Sequence, residues 1–197
     1  MKHNFKDGPE PSPAHRHINP DGSFGGWVAD TATVDATAYV GADAEVGGSS
    51  RVLGNARVLD GSSVLDGGVV RDNAVVSDAC VSGSAVVRDN AVVNDGCVFD
   101  NAVVRDNAQV LDGCVSGNAR VSGNAQVLDK SELYGDAVVR DNAVVSACDF
   151  GVGVDVGGDT VVRGERRGFE CEEEPDFSME AFRESGEHMT DDDDLHM

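Results

Sequence analysis

Three consecutive segments of equal length decide the fold of this chain: VVRDNAVVSDACVSGSA at 69–85, VVRDNAVVNDGCVFDNA at 86–102 and VVRDNAQVLDGCVSGNA at 103–119. Each is 17 residues long and divides into units of six, six and five residues, with a small residue two positions before a valine in every unit. Side chains alternate between the two sides of a strand, so the small residue and the valine face the same side. The pattern predicts short strands with both residues pointing inward.

The same frame continues over 24 units, from Val28 to Val162. Three units make one coil, so the sequence predicts about eight coils of triangular cross-section. Asp, Asn and Gly lie between the strands; they tolerate positive φ better than other residues and suit the corners. We expect Val104 to lie inside a central coil, so that Val104→Asp prevents soluble folding. We expect Asn107 to hold a positive φ, so that Asn107→Val costs about 1–2 kcal/mol.

Composition and charge agree with an elongated repeat. Val and Ala dominate the apolar residues, and a core made of them is thin. The net charge is −21, which argues against nucleic acid or an anionic membrane surface as partner, since both require clustered Lys and Arg. The chain has 36 acidic residues but only 15 Lys and Arg. This balance predicts a halophilic protein; an acidic mesophilic protein with a charged tail is the alternative.

The repeated units resemble the hexapeptide-repeat, or isoleucine-patch, superfamily, and are nearest to its non-catalytic, often phage-borne members. This resemblance rests on the 24 units and on the opening Gly25-Gly26-Trp27-Val28. It implies an all-β fold, a left-handed parallel β-helix, or β-solenoid, whose members often form trimers through flat faces. It also implies that an enzyme of this superfamily would use a histidine as general base or three histidines to bind zinc.

The ends differ in composition from the repeat, which predicts three parts: an N-terminal cap loop at 1–27, the solenoid at 28–162 and an acidic C-terminal segment at 163–197. Phe24 and Trp27 are expected to form the lid over the first coil. Residues 176–183 predict a short helix that either caps the solenoid or docks on a partner. No stretch approaches the ~18 apolar residues of a membrane span, and we expect a cytoplasmic or virion location.

Several outward columns are candidates for a site. They are a thiol column (Cys80, Cys97, Cys114), an arginine column in which each member precedes an aspartate (Arg71, Arg88, Arg105, Arg140), and an aspartate column (Asp78, Asp95, Asp112, Asp129). A soft-metal site, a ligand stripe and a hydrated-cation site are the respective functional interpretations. Simple surface packing is favoured for the thiols and charge compensation for the arginines, and the aspartates lack the ligand geometry of a defined calcium site.

All five histidines (His3, His15, His17, His188, His196) lie outside the repeat, and His15-x-His17 is a weak metal motif. We therefore predict no enzyme activity and no catalytic, cofactor-binding or metal-binding residues. The predicted function is a non-catalytic structural or interaction module with protein partners, a homo-oligomer with a trimer favoured, or a subunit of a virion, tail or surface assembly. Two alternatives stay open: a degenerate acyltransferase and an end-to-end cytoskeletal-type polymer.

Overall fold

The computed structural model describes residues 1–6, 10–164 and the backbone of 171–173. The described residues form strands and turns and contain no helix. None of them belongs to a helix long and apolar enough to cross a membrane.

Three sheets run along the molecule, and consecutive strands of the chain enter them in turn. The first sheet contains β1 (Lys2–His3), β2 (Ser12–Ile18), β3 (Phe24–Ala29), β6 (Glu45–Val46), β9 (Ser63–Val64), β12 (Cys80–Val81), β15 (Cys97–Val98), β18 (Cys114–Val115), β21 (Glu132–Leu133) and β24 (Asp149–Phe150).

The second sheet contains β4 (Thr33–Val34), β7 (Arg51–Val52), β10 (Val69–Val70), β13 (Val86–Val87), β16 (Val103–Val104), β19 (Arg120–Val121), β22 (Val138–Val139) and β25 (Asp155–Val156). The third contains β5 (Tyr39–Val40), β8 (Arg57–Leu59), β11 (Val75–Ser77), β14 (Val92–Asn94), β17 (Gln109–Leu111), β20 (Gln126–Leu128), β23 (Val144–Ser146), β26 (Val161–Gly164) and β27 (Cys171–Glu173).

Stacked coils enclose the core. Each coil strand pairs in parallel with the equivalent strand of the next coil, and the register places valine on valine: Val70 pairs with Val87, and Val87 with Val104. Eight strands of each sheet belong to coils, so the molecule is a β-solenoid of about eight turns, as predicted. Val104 and the small inward Ala108 both have 0% exposure.

Aspartate and glycine hold the positive φ of the corners, which corrects the expectation for Asn107. Eleven aspartates have positive φ, and Asp106 is one of them with a φ of 62°, whereas Asn107 does not appear in that set. The Asp106 carboxylate also accepts a hydrogen bond from the backbone N–H of Gly123, one coil above, at 3.1 Å. Asp89 accepts from the N–H of Asp106 in the same way. One residue type therefore provides both the turn conformation and a link between coils.

The asparagines that follow the positive-φ residue of this corner, an aspartate or a glycine, form a ladder of side-chain amides. Each Nδ2 donates to the side-chain oxygen of the next member at 2.7–3.4 Å, from Asn55 through Asn73, Asn90, Asn107, Asn124 and Asn142 to Asp159. Asparagine lies at the corners as predicted, but the positive φ expected of Asn107 is held by Asp106. Asparagine contributes a hydrogen bond along the solenoid axis.

The N-terminal segment contains strands, where a loop was predicted. Strands β2 and β3 form an antiparallel pair, β1 joins β2, and β3 continues into the first coil by pairing with β6. Phe24 is 71% exposed and does not act as a lid. The edge strand β5 is instead covered by two buried side chains: Asn19 Oδ1 accepts from the N–H of Val40, and a His17 ring nitrogen lies 3.2 Å from the carbonyl of Ala38.

At the other end, β26 pairs in antiparallel fashion with β27. Larger inward residues appear in the last two coils, where Leu133 and Phe150 occupy valine positions and remain buried. The helix predicted at 176–183 lies outside the described residues.

Candidate functional site

The outward side of the second sheet, called the second face, carries valines bounded by arginines. Val69, Val86 and Val103 precede the inward valines of three successive coils, and all three are half-buried. The same column continues to Arg51 on one side and to Arg120 on the other, because β7 pairs with β10 and β16 with β19. The result is a short apolar strip with a cation at each end.

A second column of arginines borders this strip along the adjacent corner. Nη1 of Arg71 and of Arg88 donates to the aspartate that follows, at 2.8 Å in both cases, and Nη1 of Arg105 forms an ion pair with Asp106 at 3.3 Å. Arg140, higher in the same column, bonds to Asp141 and to Asp155. The predicted pairing of the arginine and aspartate columns is thus confirmed.

Together these residues line an open groove of about 690 Å³: Arg51, Leu53, Val69, Arg71, Val86, Arg88, Val103, Arg105 and Arg120. Among the residues that the structure describes, neither Arg51 nor Arg120 forms an ion pair. Neither arginine was predicted as a site residue, because neither precedes an aspartate in the sequence. The available signal was that they flank three successive valines at the same position of the repeat.

The thiol column lies on the first face, the outward side of the first sheet. Cys80, Cys97 and Cys114 pair in register on successive coils, as predicted. Burial raises the pKa of Cys80, and burial together with the neighbouring Cys97 raises the pKa of Cys114 to about 11. A raised pKa favours the neutral thiol, so it opposes both metal binding and nucleophilic attack, which require the thiolate. No three His, Cys, Asp or Glu side chains of the described part are grouped to hold a metal ion.

The N-terminal residues cover the lower part of the first face. The His3 ring stacks on Trp27, with centroids 4.7 Å apart, and bonds to the Glu45 carboxylate at 3.0 Å. Phe5 is 4% exposed and packs with Ala14 and Ala29. Trp27 therefore does contribute to a cap, although its partner is the chain terminus and not Phe24.

The remaining predicted site residues have structural contacts. His15 bonds to Asp30 at 2.9 Å, and His17 is buried at the edge strand, so their rings do not converge on a shared site. Asp78, Asp95, Asp112 and Asp129 hold positive φ at the third corner, the turn that follows the third sheet. His188 and His196 lie outside the described residues.

Compared with known proteins, the chain matches no family model, and no curated protein matches it. The fold is therefore established by the structure, whereas the function has to be argued from the surfaces of this chain.

A third surface differs from both others in charge. Five successive strands of the third sheet, β11, β14, β17, β20 and β23, present ten outward side chains, and all are uncharged: Val75, Ser77, Val92, Asn94, Gln109, Leu111, Gln126, Leu128, Val144 and Ser146. Nine of the ten are half-buried, and Gln109 is exposed. We call this surface the third face.

Proposed function

We propose that this chain is a rigid, non-catalytic structural module that associates with copies of itself through the third face. The observation that carries the proposal is the absence of charge from the ten outward residues of that face in a protein of net charge −21. An interface core is typically depleted of charged residues, and a neutral strip on a highly charged surface is therefore the expected place for self-contact.

The dimensions of the third face limit how two copies can meet. Its five coils at ~4.8 Å give a length of roughly 24 Å. With a width of roughly 15 Å, contact through the ten residues alone would bury on the order of 700 Å² in total, which is less than the ~1,000 Å² expected of a specific interface. The contact must therefore continue onto neighbouring coils or corners, and we infer that the solenoids lie side by side with their axes aligned.

Rigidity supports the choice of a structural role. The parallel register of the coils, the inter-coil bonds of the corner aspartates and the asparagine ladder all act along the same axis. Bending the solenoid would break several of these bonds together. Such a module suits a virion, tail or surface assembly, in which a subunit keeps a fixed length and spacing.

The absence of catalysis is part of the same proposal. The histidine rings of the described N-terminal segment are engaged with Glu45, Asp30 and the Ala38 carbonyl, and none faces the groove residues. A general base must lie within hydrogen-bond reach of its substrate. Calorimetry with acetyl-coenzyme A should give no saturable heat, and micromolar binding would favour the degenerate acyltransferase instead.

The self-association can be tested by placing a charge on the third face. Sedimentation velocity of the full chain should give a species several times the single-chain mass of 20.5 kDa. Leu111→Arg should shift it to the single-chain mass, because a desolvated unpaired charge opposes association. Phe99→Arg places the same charge at the corner that follows β15 of the first sheet, where Phe99 is 38% exposed, and should leave the oligomer intact. A wild-type chain that sediments as a monomer would contradict the proposal, as would dissociation by Phe99→Arg alone.

A further inference from the structure

We propose that the groove of the second face binds an extended acidic segment of a partner protein, with an aliphatic side chain at its centre and carboxylates on either side. This inference is independent of the third face, because it concerns a different side of the solenoid. It rests on the arrangement of apolar and cationic groups in the groove.

The two end arginines have no structural explanation. Arg71, Arg88 and Arg105 compensate the corner aspartates, and charge compensation accounts for them. Arg51 and Arg120 stand in a column whose other central members are valines, and within the described part of the chain they make no ion pair. A half-buried apolar strip closed at both ends by unpaired cations is complementary to a ligand with negative ends and an apolar middle.

The side arginines retain donors for a ligand. The bonds of Arg71 and Arg88 to their aspartates use Nη1 only, and no hydrogen bond from their Nε or Nη2 is found among the described residues. A guanidinium presents its N–H groups in a fixed fork, so the unused edge can accept a carboxylate while the aspartate stays in place. The half-buried position of these side chains strengthens such a contact relative to one in open water.

The length of the groove suits a short peptide. Arg51 and Arg120 are four coil steps apart, or about 19 Å at ~4.8 Å per step. An extended segment covers that distance with about six residues at ~3.3 Å each. Carboxylates near its ends would reach Arg51 and Arg120, while a central Val or Leu would pack on Val86.

Nucleic acid fits the same surface less well. The groove is bordered by the corner aspartates Asp72, Asp89 and Asp106, and the whole chain carries a charge of −21. A backbone with one phosphate per nucleotide would meet this repulsion along its length. The floor consists of valines and contains no aromatic residue on which a base would stack.

The test is a binding titration with defined probes and the full-length chain. The main probe is the fluorescein-labelled peptide Asp-Glu-Val-Leu-Val-Glu-Asp; the comparison probes are the same peptide with lysine in place of each acid, and a twelve-nucleotide oligothymidine. Fluorescence anisotropy should show saturable binding of the acidic peptide alone. Raising the salt from about 0.05 M to 0.5 M should weaken this binding by roughly tenfold or more, because the contacts are ionic.

Variants then locate the site. The double variant Arg51→Glu/Arg120→Glu should weaken binding at least ~10-fold, and Val86→Ser about threefold. As a control for the single variant Arg51→Glu, Arg57→Glu changes the charge by the same amount on a strand of the third sheet and should leave the affinity unchanged. The Leu111→Arg variant should bind the peptide as the wild type does, which separates this inference from the self-association of the third face.

Four results would overturn the inference. They are the lack of saturable peptide binding, an equal loss in Arg57→Glu, oligothymidine binding that depends on the same two arginines, and a tenfold gain when Asp191 to Asp194 are all replaced by Asn. The third result would assign the groove to nucleic acid. The fourth would assign it to the chain's own acidic terminus.

Discussion

The interior and the corners of the solenoid repeat with the same period, yet they are stabilised in different ways. The interior is filled by fully buried Val and Ala, and it accommodates Leu133 and Phe150 in valine positions without exposing them. Many corners use aspartate or glycine with positive φ, and five of these aspartates accept a hydrogen bond from a backbone N–H of the next coil: Asp72, Asp89, Asp100, Asp106 and Asp141. The interior depends on apolar volume, which several residues supply, whereas a corner depends on backbone conformation and bond direction, which few residues supply.

This difference changes the interpretation of the acidity. Eleven of the 25 aspartates occupy positive-φ corners. For these residues the charge accompanies a structural requirement, since Asp tolerates the left-handed region and accepts hydrogen bonds. The halophilic origin and the cytoplasmic or virion location stay predictions.

The largest expected effect is that of a charge in the interior. Val104→Asp should prevent soluble folding, because Val104 has 0% exposure and an unpaired buried carboxylate costs several kcal/mol. Val103→Asp, the outward neighbour on the same strand, is the matched control and should remain folded. Circular dichroism and yield of soluble protein measure both, and equal melting curves for Val104→Asp and the wild type would show that the inward frame is wrong.

A smaller loss of stability is expected when a corner residue is replaced. Asp106→Val should lower the free energy of unfolding by about 2–4 kcal/mol, because a β-branched residue is strained at positive φ and the N–H of Gly123 loses its acceptor. Asp106→Asn retains tolerance of that conformation and should lose less than ~1 kcal/mol. Chemical denaturation measures the difference; if Asn and Val are equally damaging, the charge and not the conformation is the important property.

The asparagine ladder should contribute less than the aspartate corner. Asn107→Ala removes two exposed amide bonds, to Asn90 and to Asn124, at 3.1 Å each, and should cost about 1 kcal/mol. Asn101→Ala removes one such bond, to Asn118, and should cost about half as much. If Asn107→Ala lowers the free energy of unfolding more than Asp106→Val does, the ladder contributes more to stability than the aspartate corner, which contradicts this prediction.

The smallest effect is expected from salt. Screening lowers the mutual repulsion of the surface carboxylates, since the Debye length falls from about 10 Å at 0.1 M to about 3 Å at 1 M. The melting temperature should therefore rise between 0.1 M and 2 M potassium chloride, by about 2–4 °C for each kcal/mol gained. Most of this rise should persist after deletion of residues 188–197. If the melting temperature stays constant or falls, adaptation to salt is not needed to explain the acidity, and the need for aspartate at the corners explains it.

The repeat allowed much of this structure to be predicted from the sequence. Valines that recur about every six residues are best explained by a solenoid, because inward residues must return to the same point of each coil. The eight turns, the inward Val104 and the stacked thiols of Cys80 and Cys97 follow from that periodicity. The paired arginines were predictable for the same reason, since Arg88 and Asp89 are adjacent in sequence.

Tertiary structure decided the features that depend on contacts between coils or outside the repeat. Asp and Asn both tolerate corners, and only the direction of the bonds between coils assigned positive φ to Asp106 and the ladder to Asn107. The N-terminal strands form because β3 pairs with β6, a contact that no local pattern indicates. The repeat frame places Arg51 and Arg120 on one face, because each directly precedes an inward valine. Only the tertiary structure shows that the side chains of this face leave an open groove, since the shape of a surface depends on how neighbouring coils pack.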